Sequence, residues 1–456
     1  MRSNHVCLLC LTSVFVFELS TAAFGTTWYV NGVSGNNSNS CLSATNACKT
    51  IRHAISLAAS ADTIVVAAAT YKENLVIGKS LRLMGSGSST TIIDGAGANT
   101  VVTVSSTTAI VTASNFTIRH GLAVNGAGVN NAGTMSINDS VISGNVAQSS
   151  TTFSRGGGVY NHGHLALNST VVTDNSANSD GGGIFNTARM VITKSTISNN
   201  TTMGDGGGLW NLGTLTINAS TISGNTGGAI LFSTGGGIAN SATMSIINST
   251  ISGNTVSLHG IGGIENLQGA LTISSSTISQ NAGGIAVNLG TTTLQNTVVA
   301  NNASGNCFGT ITSNGYNLSS DGSCPFTSTG DLNNANPMLG SLQNNGGPTQ
   351  TMALLPGSPA IDAGNPAGCS DGAGHLLKTD QRGRPRPDFE ETLGCDMSAY
   401  EFQAACLGLG STCSSPFQCC SRFCSTTTHT CCGMKGAQCT NNLQCCGGNC
   451  VSGRCN

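Results

Sequence analysis

The fold is decided by a stretch that reads Gly181-Gly182-Gly183-Ile184-Phe185-Asn186 and that recurs along the chain. Each copy has three glycines, an apolar residue, a variable residue and an asparagine. Full copies begin at Gly156, Gly181, Gly206 and Gly235, and a degraded copy runs from Ile261 to Asn266. Each copy is followed by strand-like phrases that end in a turn asparagine. The organisation of the chain follows from this repeat.

The spacing of the repeat predicts a solenoid of β-strands. The turn asparagines are 25 to 30 residues apart, at Asn145, Asn175, Asn200, Asn225, Asn254 and Asn281. Coils of about 20–30 residues with a loop of variable length fit these gaps, whereas a propeller blade needs about 40 residues. Period-two alternation and the glycine, threonine and serine content exclude a helical solenoid, and the leucine spacing of leucine-rich repeats is missing. The sequence therefore predicts an all-β protein with a right-handed parallel β-helix over residues 26–335.

Residues at equal positions of successive coils are predicted to form columns. Alternation along a strand places the apolar residue after each triplet and the asparagine two positions later on the same, inward face. We expect the asparagines to stack as a ladder of amide hydrogen bonds. The core column is Val159, Ile184, Leu209, Ile238 and Ile264, the ladder is Asn161, Asn186, Asn211, Asn240 and Asn266, and a second core column is Ile142, Val172, Ile197, Ile222, Ile251 and Ile278.

The N-terminal region reads as an export signal followed by a cap. Residues 1–25 combine a weakly basic start, an apolar run and small residues for cleavage, which is typical of a signal peptide. Thr50 is predicted to cap a helix with Ile51, Ala54, Ile55 and Ala58 on one face. Such a helix would cover the first exposed edge of the solenoid. We predict a secreted or cell-surface protein.

Charge is scarce and excludes several classes of partner. Charged residues make up 8% of the chain, against about 25% in ordinary globular proteins. The formal net charge is −2, which gives no electrostatic reason to expect nucleic acid or an anionic membrane as partner. No apolar stretch after the signal reaches the ~18 residues of a transmembrane helix.

The cysteines indicate an oxidising destination. Of 20 cysteines, two lie in the signal, which leaves an even number for disulfides. Cys41 and Cys48 are close enough in sequence to pair locally. The tail carries two hexads of one spacing: Cys406, Cys413, Cys419, Cys420, Cys424 and Cys431, then Cys432, Cys439, Cys445, Cys446, Cys450 and Cys455. Zinc is a weaker interpretation, because His429 is the only histidine nearby.

Three parts of the chain resemble known families. The stretch 48–121 and the repeats resemble the secreted parallel β-helix proteins of the pectin-lyase-like superfamily. Residues 336–403 resemble a choice-of-anchor module, through phrases such as those from Gly357 to Gly364, from Thr379 to Gly383 and from Ala399 to Glu401. The hexads resemble two tandem knottin modules, 404–431 and 432–456.

The knottin resemblance implies an order of disulfides that spacing alone does not give. It implies the pairs 406–420, 413–424 and 419–431, then 432–446, 439–450 and 445–455. The cysteines that remain would then pair as Cys307 with Cys324 and Cys369 with Cys395.

One constellation of residues could carry function. Arg155, Asp180 and Asp205 directly precede glycine triplets, so they are predicted to be neighbours on successive coils. Coils stack about 4.8 Å apart. On the same coils the outward residues Tyr160, Phe185 and Trp210 are predicted to form an aromatic stripe. Aromatic faces beside carboxylates could form a sugar-binding strip, whereas ordinary turn residues and a stripe covered by a loop would have no such role.

Three functions stay open at this point. The first is a binding or adhesive protein that presents a rigid face to an extracellular polysaccharide or cell surface. The second follows from the resemblance, whose lyases hold Ca²⁺ with clustered carboxylates and use Arg or Lys as base; here Arg155, Asp180 and Asp205 would serve, and whether the protein is an enzyme at all stays open. The third is a structural envelope or matrix component. We predict no metal or cofactor, with Ca²⁺ entering only under the lyase hypothesis.

Overall fold

The computed structural model describes residues 25–228, 235–257, 260–388 and 394–403, with a few isolated positions in the cysteine-rich tail. The predicted signal peptide falls almost wholly outside these residues. Within the described ranges, no helix is long and apolar enough to cross a membrane.

The chain forms a parallel β-helix, as the repeat predicted. A complete coil contributes one strand to each of four sheets, which we number I to IV in chain order from the strand after the glycine triplet. Each strand pairs in parallel with the strand of the next coil, and the columns are in register. The apolar residues of sheets I, II and III fill one continuous interior.

The strands of the four sheets have the following bounds. Sheet I contains Leu75–Ile77, Val102–Val104, Val129–Asn131, Val159–Asn161, Ile184–Asn186, Leu209–Asn211, Ile238–Asn240, Ile264–Asn266, Ile285–Val287 and Cys307–Phe308. Sheet II contains Thr27–Val30, Asp62–Val66, Leu81–Gly85, Ile110–Ser114, Thr134–Asn138, His164–Asn168, Arg189–Thr193, Thr214–Asn218, Thr243–Ile247, Ala270–Ser274, Thr291–Gln295 and Thr312–Ser313. Sheet III contains Ala69–Lys72, Thr91–Asp94, Thr117–Arg119, Val141–Ser143, Val171–Thr173, Thr196–Ser198, Thr221–Ser223, Thr250–Ser252, Thr277–Ser279, Val298–Ala300 and Leu318–Ser319. Sheet IV contains Leu122–Ala123, Val146–Ala147, Ser176–Ala177, Thr201–Thr202, Thr226–Gly227 and Thr255–Val256.

A short helix covers the first coil, as predicted. It spans Ile51–Leu57, follows a 3₁₀ turn at Ala44–Asn46, and buries Ile51, Ala54 and Ile55. The Thr50 hydroxyl accepts a hydrogen bond from the His53 backbone N–H at 3.3 Å. The Glu73 carboxylate accepts two more, from Ile51 N at 2.9 Å and Arg52 N at 2.8 Å. The N-terminal amides of the helix are thereby satisfied.

Each glycine of a triplet is required for a separate reason. The first has a left-handed backbone, with φ of +63° at Gly181, which only glycine adopts without cost. A Cβ on Gly182 would lie 2.2 Å from the Thr201 carbonyl oxygen, and one on Gly183 would lie 2.6 Å from the Gly208 carbonyl oxygen. The next coil therefore approaches too closely for any side chain.

Two columns of asparagine bind the coils from inside. In the predicted ladder each Nδ2 donates to the Oδ1 of the next asparagine, at 2.7 Å from Asn161 to Asn186 and 2.8 Å from Asn186 to Asn211. The ladder begins one coil earlier than predicted, at Asn131. The turn asparagines form a second ladder that runs from Asn145 to Asn302. The buried amides of the two ladders thereby find hydrogen-bond partners.

The segment after the β-helix folds back onto it. Residues 336–388 and 394–403, here called the C-terminal segment, begin with the antiparallel hairpin Leu339–Gln343 and Thr351–Leu354. The Gln381 amide accepts from Thr250 Oγ1 at 2.6 Å and donates to Thr221 Oγ1 at 2.9 Å. The outer face of sheet III is therefore covered on its later coils. The module boundaries at 336 and 403 remain predictions.

Three predicted disulfides are confirmed, namely Cys41–Cys48, Cys307–Cys324 and Cys369–Cys395. The two knottin-like hexads lie outside the described residues, apart from a short antiparallel hairpin at Cys450–Val451 and Arg454–Cys455. Their pairing stays a prediction.

We expect Asn200→Ala to lower the free energy of unfolding by about 1–3 kcal/mol, the cost of leaving a buried donor unpaired. Asn200 Oδ1 accepts from both Asn175 N and Asn175 Nδ2, each at 3.0 Å. Thermal unfolding followed by circular dichroism measures the effect. The control is Asn178→Ala, at an exposed position of the same coils; equal stability of the two variants would contradict the role of the ladder.

Gly182→Ala should destabilise the protein by about 1–3 kcal/mol or more, because the added methyl overpacks a backbone contact. At Gly78 the nearest atom to an added Cβ is Ser105 Oγ at 3.5 Å, so Gly78→Ala should be tolerated. The midpoints of unfolding in the same assay compare the two. A Gly182→Ala protein as stable as Gly78→Ala would refute the steric argument.

Candidate functional site

The charged column predicted from the sequence is present. Arg155 and Asp180 pair through their backbones on adjacent coils. Arg155 Nε donates to Asp180 Oδ2 at 3.1 Å, and the Asp205 backbone N–H donates to Asp180 Oδ1 at 3.4 Å. Both oxygens of Asp180 are therefore engaged by its neighbours in the column.

The carboxyl of Asp180 is largely removed from water, with 12% of its side chain exposed. Burial raises the pKa of Asp180, and the hydrogen bonds from Arg155 and from the Asp205 backbone offset this only in part. The negative charge of Asp205 raises the pKa further. An ion pair in this setting holds two coils together rather than standing open to a ligand.

The aromatic column also forms, but it is not an open stripe. Tyr160 and Phe185 stack with their planes 3° apart and centroids at 5.4 Å, and Trp210 meets Phe185 edge-on at 5.3 Å. Phe185 is completely buried, although its position points outward. The rings on either side and the Arg155 guanidinium, 5.0 Å from the Phe185 centroid, enclose it. The expectation of a continuous outward stripe is wrong at Phe185.

The two ends of this stack differ. Tyr160 and Trp210 are each half-buried. The indole N–H of Trp210 is buried and has no hydrogen-bond partner among the described residues. Beyond Trp210 the column continues with Ala239 and Glu265, both buried, and Glu265 accepts from Asn288 Nδ2 at 2.8 Å. The column therefore continues beyond Trp210 with buried residues, and Tyr160 forms the other end of the stack.

In the opposite direction the same column runs into a groove. The registers place Asn130 beside Tyr160, Thr103 beside Asn130 and Val76 beside Thr103. Val76 and Thr103 line a groove of about 880 Å³. The outward column of sheet I thus forms, without a break, one wall of the groove and then the aromatic stack.

The groove lies beside the start of sheet IV. The first strand of this sheet is Leu122–Ala123, and residues 95–101 of the preceding coil form a turn in which Asn99 makes an isolated antiparallel bridge with Leu122. The other side of the groove combines apolar and amide groups, namely Arg52, Asn74, Asn99, Thr100, Leu122, Ala123, Val124 and Gln148.

Two polar side chains of the groove have donors and acceptors that no described residue uses. Arg52 Nη2 donates to the Asn74 carbonyl at 3.1 Å, which fixes it at the rim. The side chains of Asn99 and Gln148 are exposed and make no hydrogen bond with any described residue. Between the groove and Tyr160, His162 Nε2 and Asn130 Oδ1 lie 3.0 Å apart, and partial burial lowers the pKa of His162.

The outward column of sheet I extends one coil further than the glycine triplets indicate. Gly126-Ala127-Gly128-Val129-Asn130-Asn131 is a further copy of the repeat, and Val129 pairs with Val159 in register. Its middle residue is alanine rather than glycine, so a search for the triplet does not find it. Aligning that copy would have placed Asn130 in the column of Tyr160.

The residues of the charged column do not fit a Ca²⁺ site as arranged. Ca²⁺ takes six to eight oxygen ligands, whereas both Asp180 oxygens already accept hydrogen bonds. Among the described residues, the one close group of three or more His, Cys, Asp or Glu side chains is Cys41, Cys48 and His53. Its two cysteines are joined in a disulfide.

Comparison with known proteins gives one structural likeness to report. The chain is similar to a solved structure described as the crystal structure of pectate lyase Pel9A, with 14% sequence identity and a TM-score of 0.41, over 84% of this chain and 98% of that chain. No protein-family model matches the chain. No curated protein sequence matches it either. The fold assignment rests on the strand order and register above, and a match of this size adds nothing about activity.

Phe185→Ala should cost about 3–5 kcal/mol of stability, as expected for a large ring removed from a buried position. Trp210 would lose its edge-to-face neighbour, so its fluorescence should shift to the red. Because the chain has a second tryptophan, Trp28, the spectra are best compared in a Trp28→Phe background.

Phe185→Leu is the matched control, since it keeps most of the buried volume and should shift the spectrum less. A Phe185→Ala variant as stable as the parent protein would show that the ring is not packed as described. The exposed aromatic stripe predicted from the sequence would then be the better interpretation.

Proposed function

We propose that this protein is an exported β-helix protein that binds a polysaccharide without cleaving it. The observation that carries the proposal is the continuous surface formed by the groove and by the outward column of sheet I from Val76 to Tyr160. An extended sugar chain laid along this surface would cross about four coils, or roughly 15–20 Å at the usual strand spacing.

The chemistry of the surface supports a sugar ligand. Sugars present hydroxyl groups around a ring whose faces are apolar. The free amides of Asn99 and Gln148 can both donate to and accept from hydroxyls, while exposed Val76 and Val124 offer apolar contact. Tyr160 adds an aromatic edge and a phenol group at one end.

The rigidity of the scaffold favours a preformed binding site over one that forms by induced fit. Sheet I holds Thr103, Asn130 and Tyr160 on strands that pair with a neighbour on both sides, and Val76 lies on the edge strand of the same sheet. The asparagine ladder begins at Asn131, the residue after Asn130. A preorganised site spends little free energy on ordering when a ligand arrives.

Export completes the proposal. The signal-like N-terminus and the three disulfides of the described residues fit an oxidising environment outside the cytoplasm. Extracellular polysaccharides and cell-surface glycans are the sugar polymers found there.

The lyase alternative has less support from the geometry. A catalytic carboxylate must be able to reach substrate or metal, and Asp180 is enclosed by Arg155 and the Asp205 backbone. The structural alternative, an envelope or matrix protein, would leave the groove without a ligand.

Binding is tested by titrating the purified protein with neutral and acidic polysaccharides in a calorimeter. The double variant Asn99→Ala, Gln148→Ala should weaken the preferred ligand about 5- to 50-fold, the value of two hydrogen bonds. Tyr160→Phe isolates the phenol group while keeping the ring. Gln343→Ala, at an exposed amide of the C-terminal hairpin, should bind as the parent protein does.

The outcomes separate the three functions. Binding that survives the double variant unchanged would place the ligand elsewhere and overturn the groove as the site. Appearance of unsaturated, ultraviolet-absorbing products with Ca²⁺, lost in Asp180→Asn, would make the protein a lyase. No binding to any polysaccharide would favour a structural role.

A further inference from the structure

A cluster of buried charges lies where the C-terminal segment meets the β-helix. Arg386 is completely buried and donates from Nε to Glu401 Oε2 at 2.7 Å. Its Nη1 donates to Asn248 Oδ1 of the β-helix at 2.9 Å, and its Nη2 donates to the Ser398 carbonyl at 2.7 Å. The guanidinium therefore joins the segment to a coil.

A second carboxyl shares this cluster. Asp396 is completely buried and accepts from the backbone N–H groups of Asp362, at 2.8 Å, and Phe402. The Asp396 backbone N–H donates to Glu401 Oε2 at 3.2 Å. The other oxygen of Glu401, Oε1, is buried and has no partner among the described residues.

The charges of the cluster do not balance. Two buried carboxyls, Asp396 and Glu401, face one guanidinium, Arg386. The nearby Arg382 is already paired with Asp380 at 2.7 Å, so it adds no unpaired positive charge. The Asp362 carboxyl adds a negative charge that raises the pKa of Asp396.

On the β-helix side, the groups that meet this cluster carry no charge. They are Asn248, Thr277 and Asn296, with Ala399 N donating to Thr277 Oγ1 and Ser398 N to the Asn296 carbonyl. None of these three contacts on the β-helix offsets a second negative charge.

We propose that the C-terminal segment is a proton-dependent clamp, held on the coils by Arg386 while Asp396 and Glu401 together retain at least one proton, and loosened when the last proton leaves. Loss of the proton leaves two buried negative charges on one guanidinium. The contacts that dock the segment, through Asn248, Thr277 and Asn296, belong to the same stretch of chain.

The direction of the effect follows from the pKa values. Burial raises the pKa of Asp396 to about 7 and that of Glu401 to about 8, against the opposing effects of Arg386 and backbone hydrogen bonds. Because both values lie above those of an unfolded chain, about 4, their contribution to stability is complete below about pH 4 and is lost as the pH rises through 7 and 8. The clamp is therefore tighter in acid than in alkali.

Hydrogen exchange of the full chain at pH 5.5 and pH 8.5 tests the proposal, after correction for the intrinsic effect of pH on exchange. The covered strands Thr250–Ser252 and Thr277–Ser279 should exchange at least about tenfold faster at pH 8.5, one pKa unit being a factor of ten. The uncovered strands Val141–Ser143 and Val171–Thr173 are the internal reference and should change little.

Glu401→Gln should abolish this pH dependence, and Asp396→Asn is the second variant in case the first does not dock at all. Asp371→Asn, at a more accessible carboxyl paired with His375, should leave the pH dependence intact.

Infrared spectroscopy gives an independent measurement, since a protonated carboxyl band at neutral pH should disappear in Glu401→Gln or Asp396→Asn. Equal exchange of the covered strands at the two pH values in the parent protein, or a pH dependence that survives both variants, would overturn the clamp.

Discussion

Each coil of this protein is hydrogen-bonded to the next, so the equivalent positions of successive coils lie about 4.8 Å apart. Every side chain must therefore pack against the side chain at the same position of the next coil. Aliphatic residues meet this constraint by packing, and asparagine meets it because its amide both donates and accepts. Like charges cannot meet it inside the stack. The constraint accounts for the apolar columns, the two asparagine ladders and a chain in which only 8% of residues are charged. In the charged column, Arg155 forms an ion pair with Asp180, whereas the next neighbour, Asp205, raises the pKa of Asp180.

The features that could be predicted best from the sequence are those that recur in every coil. The core columns and one of the ladders follow from residue types at fixed intervals, and both are present. The capping helix followed from Thr50 and one apolar face, and two of the three disulfides followed from the cysteines that the knottin resemblance left over. The burial of Phe185 could not be predicted in the same way, because it depends on where the Arg155 guanidinium and two neighbouring rings turn. The residues of the second ladder were identified in the sequence as turn asparagines at regular intervals. Their spacing alone did not predict that their side-chain amides point inward.

The candidate site was located only in part. Tyr160 lies on the surface that we propose binds sugar, whereas Asp180 and Phe185 lie behind it and support it. The groove lies beside the start of sheet IV, and the absence of this sheet from the earlier coils leaves no motif in the sequence. The resemblance of the C-terminal segment to a choice-of-anchor module stays a prediction, and the charge imbalance within the segment becomes apparent only when Asp396, Glu401 and Arg386 are brought together from different turns.

The length of the groove depends on the number of coils that precede the first strand of sheet IV. The groove is lined by Leu122 and Ala123 of the first strand of sheet IV, by Val124 and Gln148, and by residues of the coils that precede that strand. Since coils are nearly interchangeable units, gain or loss of one such coil ahead of Leu122 would lengthen or shorten the groove by one strand spacing. The aromatic stack, the ladders and the docked segment would keep their positions. Duplication of a repeat is a common genetic event, so related chains could adjust the length of ligand they hold without redesigning a single contact.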